Sequence, residues 1–139
     1  MSENKDAVVN GAFPLGPKNT VVGDYFTGKS YFNPLIKEDG VNEVAVNVSF
    51  EPGSRTFWHA HVGGYQMILA TAGEGWYQED GKPAQKLLPG DAVVAKDGVR
   101  HWHGAAQDSW FSHLVINSGE TQWFEPVSEE QYAQLHKRS

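Results

Sequence analysis

Turn signals recur at short intervals through the middle of the chain: Glu51-Pro52-Gly53-Ser54, Gly63-Gly64, Ala72-Gly73, Asp80-Gly81, Pro89-Gly90 and Asp97-Gly98. Gaps of this size suit short extended segments far better than helices of ordinary length. Residues 44–51 show what fills them. Val44, Val46, Val48 and Phe50 alternate with Ala45, Asn47, Ser49 and Glu51, the two-residue period of a half-buried strand. Further strands are expected at 56–61, 65–72, 75–79, 91–95, 100–103 and 110–117. Many short strands joined by turns predict an all-β sandwich or barrel, and the 5 Trp, 5 Tyr, 7 Phe and 15 Gly suit one.

The two ends read differently. Residues 1–24 contain Gly11, Pro14, Gly16, Pro17 and Gly23 without periodicity, so they predict an irregular N-terminal arm. An aromatic arm over 1–32 needs a surface to cover, and a partner's sheet is the expected one, which implies a homodimer or homotetramer. Residues 25–127 make the barrel. Within 128–139, Ser128-Glu129-Glu130-Gln131 fits a capping box, with Tyr132 and Leu135 on one inner face, and predicts a short closing helix and tail.

Composition narrows the chemistry. Among 139 residues there is no Cys, which excludes disulfides, thiolate metal sites and a cysteine nucleophile. Any metal must be held by imidazole or oxygen. A net charge of -6 argues against nucleic acid, which needs a basic stripe. No apolar run reaches membrane-spanning length, so no membrane partner is expected. The opening Met-Ser-Glu-Asn-Lys-Asp lacks the basic and then apolar profile of a secretory leader, and a cytoplasmic protein is expected.

Five of the six histidines fall in expected strands. His59-Ala60-His61 places two imidazoles on one strand face, and His101-Trp102-His103 repeats this on a later strand. One such pair alone is most simply a pair of surface side chains. Two pairs facing one interior would gather up to four imidazoles, and clustered imidazolium charges repel unless a metal is shared. In 110–117, Phe111, His113 and Val115 share a face, so His113 points inward, either as a satisfied core residue or as a functional one. His136, near the end, is expected to be solvated.

At this point the sequence resembles the cupins. Their first motif appears as Gly53, five residues, His59-Ala60-His61, four residues, Gln66, six residues and Gly73. The second appears as Gly90-Asp91, Lys96-Asp97-Gly98, Val99-Arg100 and His101, with Lys96 in place of the usual Pro and Ala105 in place of a frequent Asn. The resemblance implies a double-stranded β-helix, or jelly-roll barrel, and a metal held by His59, His61, Gln66 and His101. Gln66 stands where most cupins have Glu. A neutral amide leaves a divalent ion its full charge and raises its Lewis acidity.

Within the cupins the chain is similar to the small manganese-dependent hydroxynitrile lyases of bacteria. The segments are Tyr25-Phe26-Thr27-Gly28, residues 52–56, the two histidine pairs with Gln66, Ser112-His113-Leu114 and the ending around Gln131-Tyr132. That resemblance implies manganese first, with iron, zinc or nickel also compatible with the donors. It further implies a small-molecule hydroxyl or carbonyl substrate, reversible cyanohydrin cleavage, His113 as catalytic base and His103 as its polar partner. An iron or manganese dioxygenase and a non-catalytic ligand-binding cupin are the competing expectations.

Overall fold

Two antiparallel sheets face each other in the computed structural model, which describes residues 3–137. One sheet has the order β2 (Ser30–Ile36), β3 (Val44–Phe50), β11 (Phe111–Asn117), β6 (Gln66–Gly73) and β9 (Ala92–Ala95). The other runs β1 (Phe26–Thr27), β4 (Arg55–Thr56), β10 (His101–Ala105), β5 (His59–Val62) and β12 (Glu120–Trp123). In it, β7 (Gly75–Glu79) also pairs with β10 and carries β8 (Gln85–Leu87). The all-β expectation holds.

The core lies between the sheets. Val46, Val48 and Phe50 of β3 meet Ile68 and Ala70 of β6 and Phe111 and Val115 of β11, all buried. These are the inward positions that the two-residue period marks. The other face of β3 was expected in water, yet Asn47 and Ser49 are buried too. The N-terminal arm explains this: Asn47 donates through Nδ2 to the Pro14 carbonyl, and Ser49 and Ser112 exchange a hydroxyl hydrogen bond at 2.9 Å beneath it.

The arm is therefore not irregular throughout, and it covers its own sheet. It carries a five-residue helix, α1 (Lys5–Val9), whose Val8 is buried against Ala72 and Trp110. It thus supplies no reason of its own to invoke a partner. Further along the outer surface, Met67 and Val94 stand side by side and exposed, with Leu69, Leu114 and Ile116 half-buried nearby. Any homodimer or homotetramer would have to be argued from that strip instead.

The closing helix α2 (Glu129–Gln134) forms as expected, with the Ser128 hydroxyl accepting from the Gln131 N–H at 3.0 Å. Tyr132 packs on Trp58, Trp102 and Val127 and donates its hydroxyl to the Ala105 carbonyl. Its ring also lies under the buried Arg55 guanidinium, which pairs with Glu129 at 2.6 Å. His136 departs from expectation. Rather than being solvated, its Nε2 accepts from Trp76 Nε1 and from the Gln107 N–H, which fastens the end of the chain to the barrel. No helix among the described residues is long and apolar enough to cross a membrane.

Candidate metal centre and adjoining cavity

His59 and His61 project from β5, Gln66 opens β6, and His101 opens β10 as the direct register partner of His59. The loops that carry the two histidine motifs are tied together. Gly98 N–H donates to the His61 carbonyl at 2.8 Å, and Gly63 N–H to the Asp97 carboxylate at 3.0 Å. Gly73 ends β6 at a positive φ of 77°, where a Cβ would lie 1.9 Å from the Trp110 carbonyl oxygen. Only glycine fits there, which explains its place at the end of the first motif.

The ring nitrogens of His59, His61 and His101 all lie within 4.8 Å of one another, and all three residues are buried. His59 Nδ1–H donates to the Phe57 carbonyl and His101 Nδ1–H to the Val99 carbonyl, each at 2.9 Å. Those bonds fix the tautomers, leaving both Nε2 lone pairs turned inward. Gln66 Oε1, also an acceptor, sits 2.7 Å from His101 Nε2 and 3.3 Å from His59 Nε2. His61 Nε2 is buried without a partner. Four lone pairs converging with no proton between them form an arrangement that a cation satisfies.

The electrostatics agree. Burial, then the neighbouring His101, hold His59 well below its ordinary value. Burial pushes His101 down to about 4 and lowers His61 as well. Neutral imidazoles are the form that ligates a metal. The donor set of three imidazole nitrogens and one amide oxygen therefore fits a divalent ion of the first transition row.

Beside the centre lies a cavity of about 100 Å³. His59, His61, Gln66 and His103 face it, together with Thr56, Asn117 and Thr121 and an apolar wall that includes Phe26, Val48 and Trp123. None of Phe57, Tyr65, Met67, Trp76, Trp102, Trp110 and Phe111 lines it. The lining aromatics are Phe26, Phe32 and Trp123, which sit on strands the sequence did not reveal. Val22 of the arm also reaches the wall.

His103 and His113 come together, in an order the sequence did not supply. His103 is on the cavity wall, and His113 lies behind it with its ring against Phe50 and Phe111. A 2.9 Å hydrogen bond joins His103 Nδ1 to His113 Nε2, while His103 Nε2 is buried without a partner. Inward parity of His113 is thus correct, yet it reaches the cavity only through His103. Thr56 positions His103 by accepting its backbone N–H at 3.2 Å.

Burial pushes His113 from an ordinary 6.5 down to about 3. The unfolded chain then binds more protons than the folded one between those values, so His113 stabilises the fold fully above pH 6.5 and progressively less as pH falls towards 3. The expected slope from this one residue is about 1.4 kcal/mol per pH unit. Guanidinium unfolding from neutral pH to about pH 4 should show stability falling with acid, and less steeply in His113→Leu. Equal slopes in the two proteins would mean that His113 is not the group responsible.

A family model described as Cupin domain matches residues 46–122. An (R)-mandelonitrile lyase of Granulicella tundricola is 41% identical over 114 residues, covering 78% of this chain and 86% of that protein. Among solved structures, a cupin-like protein of Thermotoga maritima superposes with a TM-score of 0.83 at 42% identity, covering 89% of this chain and 96% of that one. The DMSP lyase DddQ of Ruegeria pomeroyi gives a TM-score of 0.59 at 26% identity, over 80% of this chain and 57% of that one. With both histidine motifs on facing strands and the family model matching over more than half its length, this chain belongs to the cupin family.

Proposed function

We propose that this protein is a metal-dependent carbon–carbon lyase that cleaves and forms cyanohydrins. One observation carries the reading: a buried, unpartnered nitrogen, His103 Nε2, faces the cavity that the three-imidazole, one-amide centre also lines. A proton acceptor and an electrophile beside one small space are what this reaction requires. The (R)-mandelonitrile lyase relative supports the same class of chemistry.

His59, His61, Gln66 and His101 hold the ion, manganese being the first candidate. When bound, it supplies Lewis acidity for the charge that develops on oxygen or on the departing cyanide. The chain's own part is proton movement. His103 Nε2 takes the hydroxyl proton as the carbon–cyanide bond breaks, its electron pair leaving with cyanide, which then receives that proton as hydrogen cyanide. The resulting carbonyl compound is the second product. The hydrogen bond between His103 Nδ1 and His113 Nε2 orients the His103 ring, and burial lowers the basicity of both imidazoles, so each is neutral and His103 is able to accept a proton. His113 thus acts as the positioning residue of the pair.

The test is cyanide release from a set of small cyanohydrins by protein loaded in turn with Mn, Fe, Zn or Ni. Metal-dependent release is expected. Oxygen consumption without cyanide release would favour a dioxygenase, and binding without turnover a sensing cupin.

A further inference from the structure

Two of the three imidazoles at the metal centre have their Nδ1–H held by a backbone carbonyl, Phe57 for His59 and Val99 for His101. His61 differs. Among the described residues no backbone carbonyl bonds its ring; Nδ1 instead meets the Thr121 hydroxyl oxygen at 3.4 Å, and Nε2 is buried without a partner. If Nδ1–H donates to Thr121, Nε2 keeps its lone pair and joins the other inward donors. If the hydroxyl donated to Nδ1, Nε2 would carry the proton and could not ligate. The partner of one ring nitrogen thus decides what the other can do.

Thr121 stands on β12, a sheet edge that pairs with β5. The register sets Thr121 opposite His61 and Trp123 opposite His59, and residues directly opposed in an antiparallel pair share a face. One short strand therefore reaches both histidines of the first motif. The Trp123 ring lies 4.7 Å from the His59 ring on one side and stacks on the Tyr25 ring at 4.8 Å and 4° on the other. Tyr25 is tied to His59 a second time. Its carbonyl accepts the Phe57 N–H at 2.8 Å, and the Phe57 carbonyl in turn accepts from His59 Nδ1. The strand itself is mostly exposed, Thr121 included, so its side chains add little to the core.

We propose that β12 positions the metal centre from outside both histidine motifs, Thr121 by holding His61 in the Nδ1–H tautomer and Trp123 by holding the plane of the His59 ring. The inference rests on the metal-binding part of the function proposed above and is independent of the reaction. Thr121 and Trp123 are positioning residues, each acting through a ligand. Both also face the cavity, so turnover would mix effects on the ion with effects on substrate. Metal affinity and ring tautomer, read without substrate, separate the two.

Manganese affinity of the full chain, measured by competition with a chelating indicator, should fall about 10–100-fold in Thr121→Val, which keeps the branched shape and loses the hydroxyl. Thr121→Ser should recover most of that loss. Trp123→Leu should also bind manganese more weakly, and Trp123→Phe should recover part. Circular dichroism establishes that all four variants are folded. Nitrogen-15 NMR of the metal-free protein should show His61 as the Nδ1–H tautomer in the parent and in Thr121→Ser, and as Nε2–H or a mixture in Thr121→Val. A purely structural role for Thr121 would not move that signal. Nε2–H in the parent overturns the inference whatever the variants do. Loss of affinity without a change of tautomer, or the reverse, overturns the role given to Thr121, and parental affinity in Trp123→Leu overturns that of Trp123. A parent that takes up none of Mn, Fe, Zn or Ni overturns the metal reading together with the inference, whereas equal binding by the parent and Thr121→Val overturns the inference alone.

Discussion

Alanine at His59 or His101 should abolish stoichiometric binding of a divalent ion and, with it, turnover. Each residue gives one of four inward lone pairs, and each is oriented by a backbone carbonyl, Phe57 or Val99, that permits no other tautomer. Loss of such an orienting partner alone commonly costs 10–100-fold in metal affinity, so loss of the ligand itself should exceed about 100-fold. Metal content after exhaustive dialysis, by elemental analysis, is the measurement. His136→Ala serves as the control, because His136 bonds Trp76 and Gln107 at the far end of the chain and should leave metal content unchanged. A His59 or His101 variant that keeps a full equivalent of ion would remove that residue from the ligand set.

Replacing His103 with Phe should lower kcat by about 10²–10⁴-fold, the usual contribution of a general base. The expectation follows from the order of the two inner histidines. His103 Nε2 faces the cavity, while His113 is separated from it by the His103 ring. His113→Phe should therefore cost less than His103→Phe and shift the pH profile rather than eliminate the rate. Circular dichroism and retained metal content establish that both variants are folded and loaded. The reverse ranking would make His113 the base and require the dyad to rearrange on substrate binding. Unchanged turnover in both variants would end the case for imidazole base catalysis.

The residues that gather at the candidate metal centre were legible because their constraints are local. Two histidines separated by one residue on a strand share a face whatever the rest of the fold does, and Gly73 is required by a single close approach to Trp110. Four strands were not legible, for an equally local reason. β2 and β12 are sheet edges, β1 has two residues and β8 three, and edge strands need little inward alternation. β2 carries Pro34 at a register shift, and β12 reads Glu-Thr-Gln-Trp, mostly exposed. Yet those strands supply Phe26, Phe32, Thr121 and Trp123 to the cavity wall. The histidine cluster is thus written in local sequence, whereas much of its container is not. The arm was misread because Val8 is buried by tertiary contact alone, within a helix too short to leave a periodic signal. Asn117 could have been found: it lies on the inward parity of Phe111, His113 and Val115.

The direct pairing of His59 with His101 has a consequence for how the protein is made. The first histidine pair and Gln66 leave the ribosome well before His101, and by themselves they lack a ligand and the strand that holds them in place. No complete site exists until β10 has closed against β5 across a long intervening stretch of chain. Such long-range β pairing is intrinsically slow, because the entropy of closing the loop is spent before any contact forms. An ion held by all four ligands would therefore bind only once that pairing has formed, and its binding energy would then add to the stability of the finished barrel.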